Sequence, residues 1–303
     1  MKLKDLKYLI ALAKYCHFGK AAKACFISQP TLSIQLNKLE EELGVLLFER
    51  GQKQVILTAI GRVVVHQAKI ILDASYKLEQ FAKSASDPFS VQLRLGLIPT
   101  LGPYLLPVIL PAIRQALPKL ELFLYEDKTD NLAEQLKEGK LDVIILALPI
   151  IDKDLVIKSL FKEPFFVALP SNHFLKNKKN IKLNTLEQDS LLLLEEGHCL
   201  REQALEICHR ESALKEKPSY RANSLETLIH MVASGAGITL LPLLALEERP
   251  LIRNKALTLP TPQRSIGMLW REGSPLSVCC EKLVEIITAS ILPILINLEK
   301  QLK

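Results

Sequence analysis

The chain has 303 residues, of which 49% are hydrophobic and 24% charged, and a formal net charge of +6. That is globular composition with enough apolar mass for a real core, and the length suggests two domains at about 150 residues each. A membrane span and a secretory leader are not expected: the longest apolar stretch, Leu101–Ile113, is broken by Pro103, Pro107 and Pro111, and lysines at 2, 4, 7 and 14 interrupt the start of the chain. The protein is therefore expected in the cytoplasm, where its six cysteines stay reduced unless a redox event joins them. The positive charge is uneven. Residues 1–58 hold eight Lys and one Arg against one Asp and four Glu, and a basic module at one end suggests a polyanionic partner.

In chain order, Leu3–Tyr15 reads as an amphipathic helix with Leu6, Leu9, Ile10 and Ala13 on one face. Gly19–Ala24 is a short Ala-rich helix, and Phe26–Gln29 a turn. Pro30 sits where a first helical residue tolerates proline, and Thr31–Leu43 is the next helix, stopped by Gly44. Its predicted buried face is Leu32, Leu36, Leu39 and Leu43. Leu46–Phe48 and Val55–Leu57 are expected to pair around Gly51-Gln52-Lys53. A long helix follows from Thr58 to about Ser84. Val64, Ala68, Ile71, Ser75, Leu78 and Ala82 average 3.5 residues apart, the seam of a coiled coil, so dimerisation is expected.

After a linker at Ser84–Ser90, strands alternate with helices. Strands are expected at Gln92–Ile98, Glu121–Glu126, Asp142–Leu148, Phe165–Leu169, Ser190–Leu194, Ile238–Leu241 and Ser265–Trp270. Helices are expected at Leu105–Ala116, Leu132–Glu138, Ser224–Ser234 and Ser274–Leu298. This predicts an α/β domain with mostly parallel sheet. Such sheets bind ligands at the carboxyl ends of strands, here Pro99–Pro103 after the first one.

Phe18–Asn37 is a helix, a turn and a second helix. Ser28, Gln29, Pro30, Thr31, Ser33 and Gln35 cluster where the second helix begins. Their hydroxyls and amides suit a helix end in a major groove, and Gln pairs with adenine. Arg50 and Lys53 flank the hairpin, placed to grip phosphate. An ordinary helical bundle with a polar face is the competing reading.

The run Phe18-x2-Ala21-Ala22-x3-Phe26-x-Ser28-Gln29-Pro30-Thr31-Leu32-Ser33-x-Gln35-x3-Leu39-Glu40-x2-Leu43-Gly44-x2-Leu47-Phe48-Glu49-Arg50, then Leu57-Thr58-x2-Gly61, resembles the LysR-type transcriptional regulators. The resemblance covers the whole chain. It implies a winged helix-turn-helix over 1–58, a linker and dimerisation helix over 59–87, and an effector domain over 88–303. That domain would have two lobes like a periplasmic binding protein, lobe I at 88–162 and 269–303 and lobe II at 163–268. The chain would cross between lobes near Lys162–Pro164 and Ile266–Leu269. The implied partners are double-stranded operator DNA, further copies of the chain as dimer or tetramer, and RNA polymerase. No membrane, cofactor or metal is implied.

Cys199 and Cys208 bracket Leu200–Ile207, which is strongly helix-forming. Nine residues of helix separate two Cα atoms by about 13.5 Å, whereas a disulfide needs roughly 4.4–6.8 Å. A bond between them would require the helix to unwind, which makes it a switch. Cys199 sits at the helix start, where the field contributes only about 0.3–1 kcal/mol. His198 and Arg201 are the local groups that could add to it. Cys208, further along, suits a less reactive resolving role. Two inert buried thiols and a zinc set of His198, Cys199, Cys208 and His209 are the other readings. Cys16 and Cys25 read as core or surface residues of the DNA-reading module, and Cys279 and Cys280 as packing residues of the last helix, with adventitious oxidation as the alternative.

The resemblance narrows to peroxide-sensing members of the family at Leu97-Ile98-Pro99-Thr100-x-Gly102-Pro103-Tyr104-Leu105-Leu106-Pro107, Gly139-Lys140-Leu141-Asp142, Gly197-His198-Cys199-Leu200-Arg201-x-Gln203-Ala204, Cys208 and Ser224-Leu225-Glu226-Thr227-Leu228. It implies that hydrogen peroxide is the signal, that Cys199 is the peroxidatic thiol, and that Cys208 resolves its sulfenic acid into a disulfide. It places Thr100, Thr129 and His198 at a peroxide pocket, with Arg201 and Arg264 contributing. The stretch His209–Ser219 departs from the pattern. A regulator gated by a metabolite between the lobes, and a thiol peroxidase, are the alternatives. The second leaves the DNA-reading module unexplained.

Overall fold

A computed structural model describes residues 1–50, 55–84, 87–187, 189–211, 215–247, 249–258 and 260–302. The chain forms two compact units, Met1–Ala82 and Lys83–Lys303. In the first, helices α1 (Leu3–Tyr15), α2 (Phe18–Ala24) and α3 (Gln29–Leu43) are followed by strands β1 (Phe48–Arg50) and β2 (Val55–Leu57) and by helix α4 (Ala59–Ser84). Each boundary has a local cause. His17 Nδ1 accepts the N–H groups of Gly19 and Lys20 at the start of α2, and Ser28 Oγ accepts that of Thr31 at the start of α3. Gly44, at φ +68°, ends α3. Leu6, Leu9, Leu12, Leu32, Leu36 and Leu39 are buried between the helices. Leu43, expected on that face, is exposed at the last position of α3, next to Gly44 where the chain turns away.

Three residues of the sequence motif have structural reasons. Glu40 is buried, and its Oε1 accepts the N–H groups of Leu47 (2.7 Å) and Phe48 (3.1 Å), so α3 holds the entry to the wing. Leu46 and Leu47 therefore precede β1, which starts at Phe48 instead of Leu46 and pairs antiparallel with β2. Thr58 Oγ1 accepts from Gly61 N and donates to Leu46 O, which pins the start of α4 under the wing. A Cβ on Gly61 would lie 2.2 Å from the Leu47 carbonyl oxygen, so only glycine fits. Along α4 the seam divides. Ala68 is buried against the helical module, whereas Ile71 and Leu78 are exposed, as are Ile70 and Phe81.

The second unit contains, in order, β3 (Gln92–Leu97), α5 (Gly102–Ala116), β4 (Glu121–Glu126), α6 (Thr129–Lys137), β5 (Val143–Leu148), β6 (Leu155–Pro170), β7 (Asn180–Ile181), β8 (Ser190–Leu194), α7 (Cys199–Glu211), β9 (Lys215–Ala222), α8 (Leu225–Ala233), β10 (Thr239–Pro242), β11 (Ile252–Leu257), β12 (Gln263–Arg271) and α9 (Ser277–Leu302). It has two cores. One gathers Leu93, Leu95, Ile144, Met268, Trp270 and α9 residues such as Ile287; the other gathers Val167, Leu192, Leu193, Ala204, Cys208 and Leu228.

The sheet runs β4-β3-β5-β12-β6-β11-β7, with β10 also on β6. The expectation of mostly parallel pairing holds for β3 with β4 and β5, but not at the centre. There β12 runs antiparallel to both β5 and β6, and β10 and β11 run antiparallel to β6. The reason is connectivity: β6 carries the chain out of the first core into the second, and β12 carries it back. Along β6, Phe161 packs in the first core, Phe165 in the second and Phe166 again in the first. On β12, Ile266, Met268 and Leu269 pack in the first core. Among the described residues, no helix is long and apolar enough to cross a membrane.

Candidate functional site

Two groups of residues carry chemistry. The first is the start of α3. Gln29, Pro30 and Thr31 are exposed there, and Ser33 and Gln35 are half-buried. Ser28 is used in capping, with its Oγ 2.7 Å from Thr31 Oγ1, so its role at this helix end is structural first. Arg50 lies in β1, but its side chain and all of Lys53 are outside the described residues. If this helix end reads DNA, binding will weaken steeply with salt as phosphate contacts release counterions. Gln29→Ala will flatten base preference by about 1–3 kcal/mol at one position without changing the salt slope. Competition binding against salt and operator variants checks both, and salt-independent binding would remove the assignment.

The second group surrounds Cys199. β8 ends at Leu194, and a short turn through Gly197, at φ +87°, leads into α7, whose first residue is Cys199. Across from it lie the loop after β3 and the start of α6. Ile98, Pro99, Thr100, Lys128, Thr129, Gly197, His198 and Cys199 together line a crevice of about 150 Å³, too narrow to admit a water-sized sphere without a small movement. So Thr100, Thr129 and His198 do converge on Cys199, and the site lies at the carboxyl end of β3. Thr129 Oγ1 is buried there with no hydrogen-bond partner. An unsatisfied hydroxyl at a closed crevice is costly and offers a place for a small polar molecule. Burial, then the nearby Lys128 charge, lower the His198 pKa from its ordinary value, against a smaller opposite pull from Glu195. Burial and Lys128 both favour the neutral imidazole, the form that can take a proton.

The two arginines act from behind this crevice and are not among the residues that line it. Arg264 pairs with Glu163, Nε to Oε1 at 2.7 Å, and both side chains are fully buried. The same guanidinium donates to Thr100 Oγ1 and Thr100 O, each at 3.2 Å. Glu163 Oε2 accepts Leu244 N at 3.1 Å. Arg201 is buried and donates to Leu194 O at 3.2 Å, tying α7 to β8.

Neither Cys199 nor Cys208 is in a disulfide. Cys199 is half-buried against the first core, while Cys208 is 1% exposed within the second, and α7 is continuous between them. Burial makes three of the other cysteines less suited to reaction. Burial pushes Cys279 up to about 12 and Cys280 well above its ordinary value, and it also raises Cys25; Cys16 is exposed, its Sγ 3.5 Å from Ala13 O. Lys128, which lines the crevice, and Glu163, which pairs with Arg264, were not singled out from sequence, and Gln203 was named only within a motif. Gln203 lies one helical turn beyond Cys199, and its Oε1 is buried with no partner, so helical spacing from Cys199 was a usable signal for it.

A helix-turn-helix module followed by a two-cored α/β unit of this topology defines a class of bacterial regulator. Residues 3–62 match the model of the bacterial regulatory helix-turn-helix protein of the lysR family, and residues 86–291 match the LysR substrate binding domain. The chain belongs to the LysR family. Within it, the chain is 44% identical over 292 residues to the DNA-binding transcriptional dual regulator OxyR of Escherichia coli K12, covering 95% of each. It is likewise 44% identical over 289 residues to the hydrogen peroxide-inducible genes activator of Dickeya chrysanthemi, covering 94% of each. Among solved structures, a full-length OxyR variant from Pseudomonas aeruginosa superposes with a TM-score of 0.73 at 39% identity, covering 95% of this chain and 94% of that one.

Proposed function

We propose that this protein is a hydrogen peroxide-sensing transcription regulator that binds double-stranded DNA through α3 and is switched by a reversible Cys199–Cys208 disulfide. One observation carries the reading: Cys199 opens both a continuous helix and a small polar crevice, while Cys208, on that same helix, is held in a different core. The names of the relatives, a DNA-binding regulator and a peroxide-inducible activator, agree with it.

The chemistry balances on these residues. Cys199 Sγ attacks one peroxide oxygen and the O–O bond breaks. Cys199 becomes a sulfenic acid, and the departing oxygen leaves as water after taking the proton given up by the thiol. Neutral His198 relays that proton, and the Thr100 and Thr129 hydroxyls orient the peroxide. Cys208 Sγ then attacks the sulfenic sulfur, expels a second water and closes the disulfide. A cytoplasmic dithiol reverses it by exchange. Because the bond must dissolve α7, each peroxide is spent on a change of shape, which suits a sensor better than an enzyme that turns over. The exposed Ile71, Leu78 and Phe81 of α4 support association with further copies of the chain, and an activator of this kind works on RNA polymerase.

The crevice argues against a metabolite as signal at this point, since it does not admit even a water-sized sphere, whereas ligand pockets run to roughly 300–1,000 Å³. The Tyr104 hydroxyl also meets Glu226 Oε1 at 3.2 Å, joining α5 to α8, and Arg249 braces Glu226 at 3.0 Å. The test is a DNA footprint with and without peroxide. The wild-type footprint should change and that of Cys199→Ser should not. A Cys199→Ser protein that still responds would overturn the reading.

A further inference from the structure

We infer that Lys128 is a positioning residue of the peroxide site: it straps the Glu196–Cys199 turn to the start of α6 and so sets the reactivity of Cys199. This rests on the peroxide-sensing reading above and adds a residue to it.

The geometry begins with the anchor. Asp127 Oδ1 accepts Lys128 N at 2.8 Å and Asn131 Nδ2 at 2.8 Å, and its Oδ2 accepts Gln135 Nε2 at 3.1 Å. Lys128 O accepts Leu132 N in the first turn of α6. The backbone of Lys128 is therefore fixed from both sides. From that base its ammonium donates to Glu196 O at 2.7 Å, on the other side of the crevice. The stem of Lys128 lies over Gly197 so closely that a Cβ there would stand 2.9 Å from Cδ. The positive φ of Gly197 and the missing side chain both serve this contact.

The strap does two things. It holds the turn that aims His198 and Cys199 at Thr100 and Thr129, and all five residues line the same crevice. It also places a positive charge beside His198. The charges acting on that imidazole are Lys128, at the residue before α6, and Glu195, after β8; Cys199 follows it in the chain and lines the same crevice. Lys128 disfavours the imidazolium and Glu195 favours it, so Lys128 helps to keep His198 in the neutral form that accepts the thiol proton. Protonation of His198 in acid should slow the reaction, and without Lys128 that loss should begin at a higher pH.

The experiment uses the full chain as wild type, Lys128→Met and Lys128→Arg. Loss of the Cys199 thiol under peroxide is followed by stopped flow across the range in which imidazoles titrate, and His198 is titrated by NMR. Lys128→Met keeps the stem and removes the ammonium. It should slow oxidation roughly ten- to a hundredfold, the size of effect expected from misplacing a reacting group. It should also move the His198 titration and the acid limb of the rate upward, and Lys128→Arg should recover most of both. Equal rates in wild type and Lys128→Met would overturn the proposal and leave the peroxide reading standing. A slow Lys128→Met with an unmoved His198 titration would also overturn it. A wild-type protein that does not react with peroxide would remove the peroxide reading and this proposal with it.

Discussion

One equivalent of hydrogen peroxide per chain is expected to remove the thiols of Cys199 and Cys208 together and to leave those of Cys279 and Cys280. The last two are buried, and burial holds them protonated. Cys199 borders the crevice, and Cys208 is the cysteine on its own helix. In that helix the pair stand about 13.5 Å apart between Cα atoms, so closing to bonding range requires several residues of α7 to leave helical geometry. It also requires Cys208 to leave a core in which it is 1% exposed. The oxidised protein should therefore show less helix by circular dichroism and faster amide exchange over 199–211, and reduction should reverse both. Cys208→Ser should stop at the sulfenic acid, which a dimedone-type reagent traps. A 199–208 disulfide formed with α7 still protected would break the link between bond and shape on which the switch depends. So would a Cys199 that stays reduced at one equivalent.

The DNA-reading module was the most legible part of the chain, because its signals are local. Pro30, Gly44 and the spacing of Leu32, Leu36 and Leu39 mark α3 within fifteen residues. The helix across Cys199–Cys208 was legible for the same reason, from the composition of Leu200–Ile207. What sequence left out is long in range or polar in pattern. β6 runs from Leu155 to Pro170, yet only Phe165–Leu169 was expected, because Lys158, Ser159, Lys162 and Glu163 interrupt the apolar run. β9 and β11 carry Lys and Arg at several positions and showed no strand periodicity. The antiparallel centre of the sheet depends on how the chain returns, which no local pattern reports. Thr100, Thr129 and His198 were placed by resemblance. Glu163 lies 101 residues from Arg264 and sits in a strand of ordinary composition, so nothing nearby announced it.

That pair gives the largest stability effect expected in the effector unit. Glu163 and Arg264 are both 0% exposed in their side chains. They face each other across β6 and β12, the two strands that join the cores. Removing one partner, as in Glu163→Ala, leaves an uncompensated guanidinium in the interior, at a cost of about 3–5 kcal/mol. For a unit of this size that lowers the midpoint of thermal unfolding by roughly 6–20 °C. The double variant Glu163→Gln/Arg264→Met removes both charges at once and should regain much of the loss, because the penalty comes from the orphaned ion more than from the missing attraction. Function should not recover with it. Arg264 also donates to Thr100 Oγ1, and without that donor the hydroxyl no longer has a fixed direction at the crevice. The double variant should be folded, stable and slow toward peroxide, while Glu163→Ala should be both unstable and slow. Calorimetry run as a double-mutant cycle measures the first effect, and thiol-loss kinetics the second. If Glu163→Ala cost less than about 1 kcal/mol, the range of an exposed pair, the two charges would not be the buried bridge described. If the double variant reacted at the wild-type rate, Thr100 would not need Arg264 to point it.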